Sequence, residues 1–203
     1  MIIRMARQEK KINKGGFSLK RVAFCIALLL IFTGSSVVFA EDSVGSKYSH
    51  LSLGFNLNNF HHDFGFGVNL TTPYFLNNRV AVRFSANSSY FEGIPINKTE
   101  YDWMPYTIYK LGIIGTSAMI NDLIRLYGEG GVIFIIPNSC FSEKNGLGGY
   151  GHFGFEFSVD SCSPVCYFIE LGSVGTSARA EKILNKPIYA NGFATSVGLR
   201  YHF

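Results

Sequence analysis

Phe193-Ala194-Thr195-Ser196-Val197-Gly198-Leu199-Arg200-Tyr201-His202-Phe203 ends the chain. Phe193, Thr195, Val197, Leu199, Tyr201 and Phe203 fall on one side of a period-two repeat. Ala194, Ser196, Gly198, Arg200 and His202 fall on the other. Successive side chains of a β-strand point to opposite faces, so the segment reads as a strand with one bulky apolar face and one small or polar face.

Seven further segments repeat the pattern. Leu51, Leu53, Phe55 and Leu57 alternate with His50, Ser52, Gly54 and Asn56. Phe64, Phe66, Val68 and Leu70 alternate with Gly65, Gly67, Asn69 and Thr71, and Val80, Val82 and Phe84 with Ala81, Arg83 and Ser85. Tyr109, Leu111 and Ile113 face away from Lys110 and Gly112, and over 126–136 Glu129 opposes Leu126, Val132 and Phe134. Phe153, Phe155, Phe157 and Val159 alternate with His152, Gly154, Glu156 and Ser158, and Ile169 and Leu171 flank Glu170. Eight strands are therefore expected. Short turns at 73–78, 120–123 and 161–165 alternate with mostly longer loops at 91–105, 137–149 and 178–191; the connection 58–63 is the short exception on the loop side.

Residues 1–40 read differently. Seven of the chain's 18 Lys and Arg, with the single acid Glu9, precede an apolar stretch from Val22 to Ala40. A basic start, an apolar centre and Val38-Phe39-Ala40 predict a secretory signal peptide cleaved before Glu41. An uncleaved anchor holding a soluble domain is the competing reading. Residues 41–203 form one domain by length. They hold 11 basic and 13 acidic side chains, a net charge of −2, so the basic pI of 8.8 belongs mostly to the export signal. The charge gives no ground for a nucleic-acid partner.

Beyond residue 40 no apolar run is long enough for a membrane helix. The whole chain is nevertheless 47% hydrophobic and 15% aromatic, with the apolar residues spread over alternate positions. In a soluble sandwich or lipocalin-like barrel the apolar face turns inward and the polar face is well charged. Here the polar face is mainly Gly, Ser, Asn and Thr, with a few charges of both signs. That suits a narrow interior, with the aromatics turned toward lipid. The expected fold class is all-β: an antiparallel transmembrane β-barrel of about eight strands over 41–203, preceded by a cleaved signal peptide. Closure satisfies every backbone hydrogen bond, which an open sheet in lipid does not.

Leu126-Tyr127-Gly128-Glu129-Gly130-Gly131-Val132, Phe153-Gly154-Phe155-Glu156 and the terminal strand carry a further likeness. On them, residues 41–203 resemble the small eight-stranded outer-membrane barrels of the OmpX, OmpA and opacity-protein kind. The last strand, with Phe203 at its end and Leu199 and Tyr201 at alternate positions before it, is similar to the insertion signal read by the barrel assembly machinery. The resemblance implies the outer membrane of a Gram-negative (diderm) bacterium, with turns in the periplasm and loops outside. Its implied partners are that machinery, outer-membrane lipid and lipopolysaccharide. Activity is not implied, because one fold hosts many functions.

The inward phase carries Arg83, Lys110, Glu129, Glu156, Glu170 and Arg200, expected as an ion-paired network because a lone buried charge is costly. His50, His152 and His202 share that phase. Loop residues Arg179, Lys182 and Lys186, with Trp103, are candidate contacts for lipopolysaccharide or a host or cell-surface ligand. Cys162 and Cys166 bracket a Ser-Pro-Val turn and are a candidate disulfide in an oxidising space. His61-His62-Asp63 lacks a fourth ligand for a metal and has no accompanying serine motif for acyl chemistry. No catalytic residue, metal or cofactor is expected. The leading function is a non-enzymatic structural or surface-interaction barrel. A lipid A acyl-chain hydrolase or transferase, and a narrow pore, are the alternatives.

Overall fold

The computed structural model describes residues 47–60, 63–160 and 163–203. The signal peptide with its cleavage point, His61, His62 and Cys162 lie outside the described residues. After one 3-10 turn, Lys47–Ser49, come β1 (Ser52–Phe60), β2 (Asp63–Thr71), β3 (Val80–Gly93) and β4 (Asp102–Ile120). These are followed by β5 (Ile124–Ile136), β6 (Gly146–Ser158), β7 (Val165–Thr176) and β8 (Gly192–His202). Each strand pairs antiparallel with the next, and β8 returns to β1, with Ser52 opposite His202 and Phe60 opposite Ala194. The sheet is a closed eight-stranded barrel. The register shifts once between β4 and β5, at Thr116/Ala118.

One rim carries the start of β1, the end of β8 and the β2–β3, β4–β5 and β6–β7 connections; we call it the turn rim. The other carries the loops 94–101, 137–145 and 177–191 and is the loop rim. Turn chemistry is local. Asn121 and Asp122 sit at φ 49° and 56°, and Leu123 N–H donates to the Ile120 carbonyl at 3.1 Å. Positive φ at both central residues is what a type I′ hairpin needs, and Asn and Asp tolerate it best after Gly.

Burial follows the period-two phase. Phe55, Leu57, Val68, Phe84, Leu111, Ile169 and Leu199 are exposed on the outer wall, whereas Asn56, Arg83, Lys110, Glu156, Glu170 and Arg200 are buried inside. The interior is narrow enough to require glycine. A Cβ on Gly154 would lie 2.3 Å from the Tyr127 ring, and one on Gly112 would lie 2.2 Å from the Tyr150 hydroxyl.

Three expectations are corrected. His50 does not point inward: β1 begins at Ser52, and His50 is exposed before it. The loop expected at 91–105 shrinks to 94–101, because β3 and β4 extend their pairing to Gly93 and Asp102. Phe91 is therefore buried inside, and Trp103 stands exposed on the wall of β4. Nor is the interior uniformly small and polar. Its loop half is filled by Phe60, Tyr106, Ile108, Ile133, Ile135, Phe141 and Tyr189. The run Val132–Ile136 is apolar at every position, so alternation could not show that Ile133 and Ile135 point inward.

Candidate functional site

Two layers of charge occupy the turn half of the interior. In the deeper one, Arg83 donates to Glu129 at 2.5 Å and to Glu170 at 2.6 Å, while its Nε donates to Thr71 Oγ1 at 3.1 Å. Tyr127 and Tyr150 complete the carboxylates, donating to Glu170 at 2.6 Å and to Glu129 at 2.7 Å. Gly154 and Gly112 make room for these two rings. Lys110 is buried in the same layer with Nζ 5.2 Å from the Tyr150 ring centroid.

Nearer the turn rim, Glu156 is the common acceptor. Arg125 donates to it at 2.9 Å, Arg200 donates to the same oxygen, and His202 Nε2 lies 3.2 Å from the other. Arg200 also reaches toward the deeper layer, with Nη2 3.8 Å from Glu170. The Arg125 guanidinium sits 4.5 Å from the ring centroids of both Tyr48 and Tyr74. Tyr48 comes from the 3-10 turn ahead of β1 and Tyr74 from the β2–β3 turn. Together they cover the charges at this mouth. Among the described residues four buried cations (Arg83, Lys110, Arg125, Arg200) accompany four buried carboxylates (Asp63, Glu129, Glu156, Glu170).

Glu156, Cys166 and His202 bring potential ligand atoms within 4.8 Å of one another. The Glu156 charge is already shared by two guanidiniums, which would repel a metal cation placed beside it. This cluster reads as an ion-pair centre. Cys166 is buried with Sγ 3.4 Å from Ser158 Oγ. Its proposed partner Cys162 lies outside the described residues.

At the loop rim the connections fold over the mouth. Lys182 N–H donates to the Phe141 carbonyl at 2.9 Å, Ile96 N–H to the Lys182 carbonyl at 3.1 Å, and Leu184 N–H to the Ile94 carbonyl at 3.0 Å. Below them Phe91, Tyr106, Phe141 and Tyr189 pack edge-to-face or tilted, with centroids 5.0–6.3 Å apart. Ion pairs tie the loops from outside: Lys182 to Glu143 at 2.6 Å and Lys144 to Glu181 at 2.7 Å. The Lys182 ammonium holds the Glu143 carboxyl below its usual range, and Glu181 raises the Lys144 ammonium. Arg179 and Lys186 are exposed, as are Leu199, Tyr201 and Phe203 on the outer wall.

No protein-family model and no curated protein matches the chain. Among solved structures, the N-terminal β-barrel domain of Pseudomonas aeruginosa OprF superposes with a TM-score of 0.53 at 12% identity. The match covers 76% of this chain and 98% of that domain. The fold is that of a small outer-membrane barrel. Pseudomonas aeruginosa OprG (TM-score 0.49, 12% identity, 80% of this chain and 99% of that one) and Yersinia pestis Ail (0.44, 14%, 76% and 99%) are also similar.

This outer-membrane-type barrel uses interior residues that alternation did not reveal. Arg125 shares the inward phase of Tyr127 and Glu129, and extending that phase two residues back would have found it. Tyr48 lies outside any strand, and no periodicity marks it. Asp63, read only as part of a loop triplet, is the first residue of β2 and is buried. It accepts from the Tyr106 hydroxyl at 2.6 Å and from Ala190 N–H at 2.8 Å.

Proposed function

We propose that the protein is an integral protein of the outer membrane of a diderm bacterium. It closes its own lumen and acts through its loop rim, as a structural or surface-interaction element without catalysis. One observation carries this reading. The wall facing outward is apolar, while the interior is filled by ion pairs in its turn half and by apolar and aromatic side chains in its loop half, with aromatic side chains at both mouths. Such a wall is matched to lipid, and an eight-stranded barrel is just wide enough for its own side chains.

The loop rim then lies outside the cell, where the exposed Arg179 and Lys186 would meet lipopolysaccharide or a cell-surface ligand, with Trp103 on the outer wall at that end of β4. Lys182 is less available, being held by Glu143 and by the Ser139 carbonyl at 2.8 Å. Leu199, Tyr201 and Phe203 would present the insertion signal to the assembly machinery. Topology can be read at Cys140, which is exposed on a loop-rim connection. A membrane-impermeant maleimide should label Cys140 on intact cells, in a band whose gel mobility shifts on heating. Labelling only after lysis would overturn the orientation, and an unshifted band in a soluble fraction would overturn the barrel assignment.

A further inference from the structure

The turn half of the lumen holds more positive than negative charge. Among the described residues its buried cations are Arg83, Lys110, Arg125 and Arg200, and its buried carboxylates are Glu129, Glu156 and Glu170. The fourth buried carboxylate, Asp63, belongs to the loop half, where Tyr106 and Ala190 bond it. Four cations against three carboxylates leave one positive charge, and protonation of His152 or His202 would only add to it.

The positive charge is concentrated at the arginines. The guanidinium carbons of Arg83, Arg125 and Arg200 lie 5.5, 5.1 and 5.9 Å from the centroid of one ring, that of Tyr127. All three side chains are buried. Arg125 and Arg200 converge on one oxygen of Glu156, while Arg83 serves Glu129 and Glu170. Arg83 Nη2, Arg125 Nε and Nη1, and Arg200 Nε and Nη2 are left without a hydrogen-bond partner. Arg200 Nη2 stands 3.8 Å from Glu170, too far for a hydrogen bond. A guanidinium keeps its charge inside proteins, and a buried donor without an acceptor is costly. These nitrogens therefore call for an acceptor that the three carboxylates do not supply.

We propose that the three arginines bind a small monovalent inorganic anion of chloride size inside the lumen, with Arg125 and Arg200 as its principal donors. One negative charge balances the count, and a spherical acceptor takes several N–H groups at once. Its size is limited by the rings that crowd the guanidiniums, Tyr127 among all three and Phe168 4.6 Å from the Arg200 carbon. Loss of a proton from Lys110 would also balance the count, but it would give the arginine nitrogens no acceptor. Tyr48 and Tyr74 stand beside Arg125 at the turn mouth, so the ion is enclosed as that cover forms and becomes a structural part of the folded barrel. The inference goes beyond the loop-rim reading and does not depend on it.

The test uses the protein extracted from membranes into nonionic detergent, unfolded in urea and refolded with bromide as the sole halide. Anomalous X-ray scattering from the crystals then locates the ion. Bromide should lie in hydrogen-bonding contact with Arg125 and Arg200, and it should keep that position in Lys110→Met. In urea titrations at constant ionic strength, replacing gluconate by chloride should shift the unfolding equilibrium about tenfold toward the folded state, the effect of a ligand at about ten times its Kd. Arg125→Gln removes the excess charge and two of the unpartnered nitrogens, so it should abolish that shift while heat-modifiable mobility is retained. If Arg125→Gln fails to fold, the bromide position in the wild type and in Lys110→Met decides. Water alone at the arginines, bromide at Lys110 instead, or the shift persisting in folded Arg125→Gln would each overturn the proposal. So would bromide bound without any chloride-dependent stability, an adventitious ion only.

Discussion

Arg200 joins the two charge layers, since its guanidinium bonds Glu156 and lies within 3.8 Å of Glu170. Replacing it by alanine leaves Glu156 with one arginine instead of two, in a site where the carboxylate is fully buried. Breaking a buried pair by removing one partner costs about 3–5 kcal/mol. Arg200→Ala should lower resistance to urea unfolding by that order, and an unchanged midpoint would remove Arg200 from the network. Gly154 is expected to be as intolerant for a steric reason. Gly154→Val should displace Tyr127 from Glu170, reducing the folded fraction on an unheated gel. At this scale the strand interiors were legible. Arg83, Glu129, Glu156, Glu170 and Arg200 each fall on the small-residue phase of an alternating segment, so the sequence alone placed them inside. Their pairing was not legible, because which carboxylate meets which guanidinium depends on register and on glycines that let Tyr127 and Tyr150 reach across.

Among the elements, β8 has two tasks: its outward residues face lipid and its inward residues complete the charge layers. Phe203→Asp should impair membrane insertion more than an equal change at exposed Leu184 in the loop, measured as the heat-modifiable fraction in the membrane. Equal levels of the two variants would dismiss the insertion role. The loop rim offers a pH test. The folded-state pKa of Glu143 is lowered by Lys182. Its contribution is therefore present above the unfolded carboxylate value of about 4.3 and lost as pH falls through the lower, folded value. Protease cleavage within 137–145 should rise as pH drops below about 4, and Lys182→Ala should flatten that rise; a pH-independent rate in the wild type would rule the tie out. Strands and turns could be read in advance because period two and turn residues are local signals. The inward fold of the loops could not, since Phe141 and Tyr189 are brought together by ties such as Lys182 N–H to Phe141 and Ala190 N–H to Asp63 that join segments distant in sequence.

For the whole molecule, closure at both mouths sets the transport expectation. In planar bilayers the protein should show no stable openings of nanosiemens scale, the range of wide barrels, given its eight-stranded width. Regular openings of that size would overturn the filled lumen. The aromatic cover at each mouth comes from outside the strands, from Tyr48 and Tyr74 at one end and Phe141 and Tyr189 at the other. The charged turn half is thus covered by Tyr48 and Tyr74 on one side and by the apolar loop half on the other.

The first strand pairs with the last, and this has a consequence for biogenesis. A chain stopped after β7 would expose the edges of β1 and β7 and would lack both Arg200 and His202, leaving Glu156 short of a counter-charge. Completing the hydrogen-bond ring and completing the partners of Glu156 are thus one event, reached only when the last eleven residues of the sheet arrive. An unfinished copy is therefore penalised twice, at its seam and at its centre.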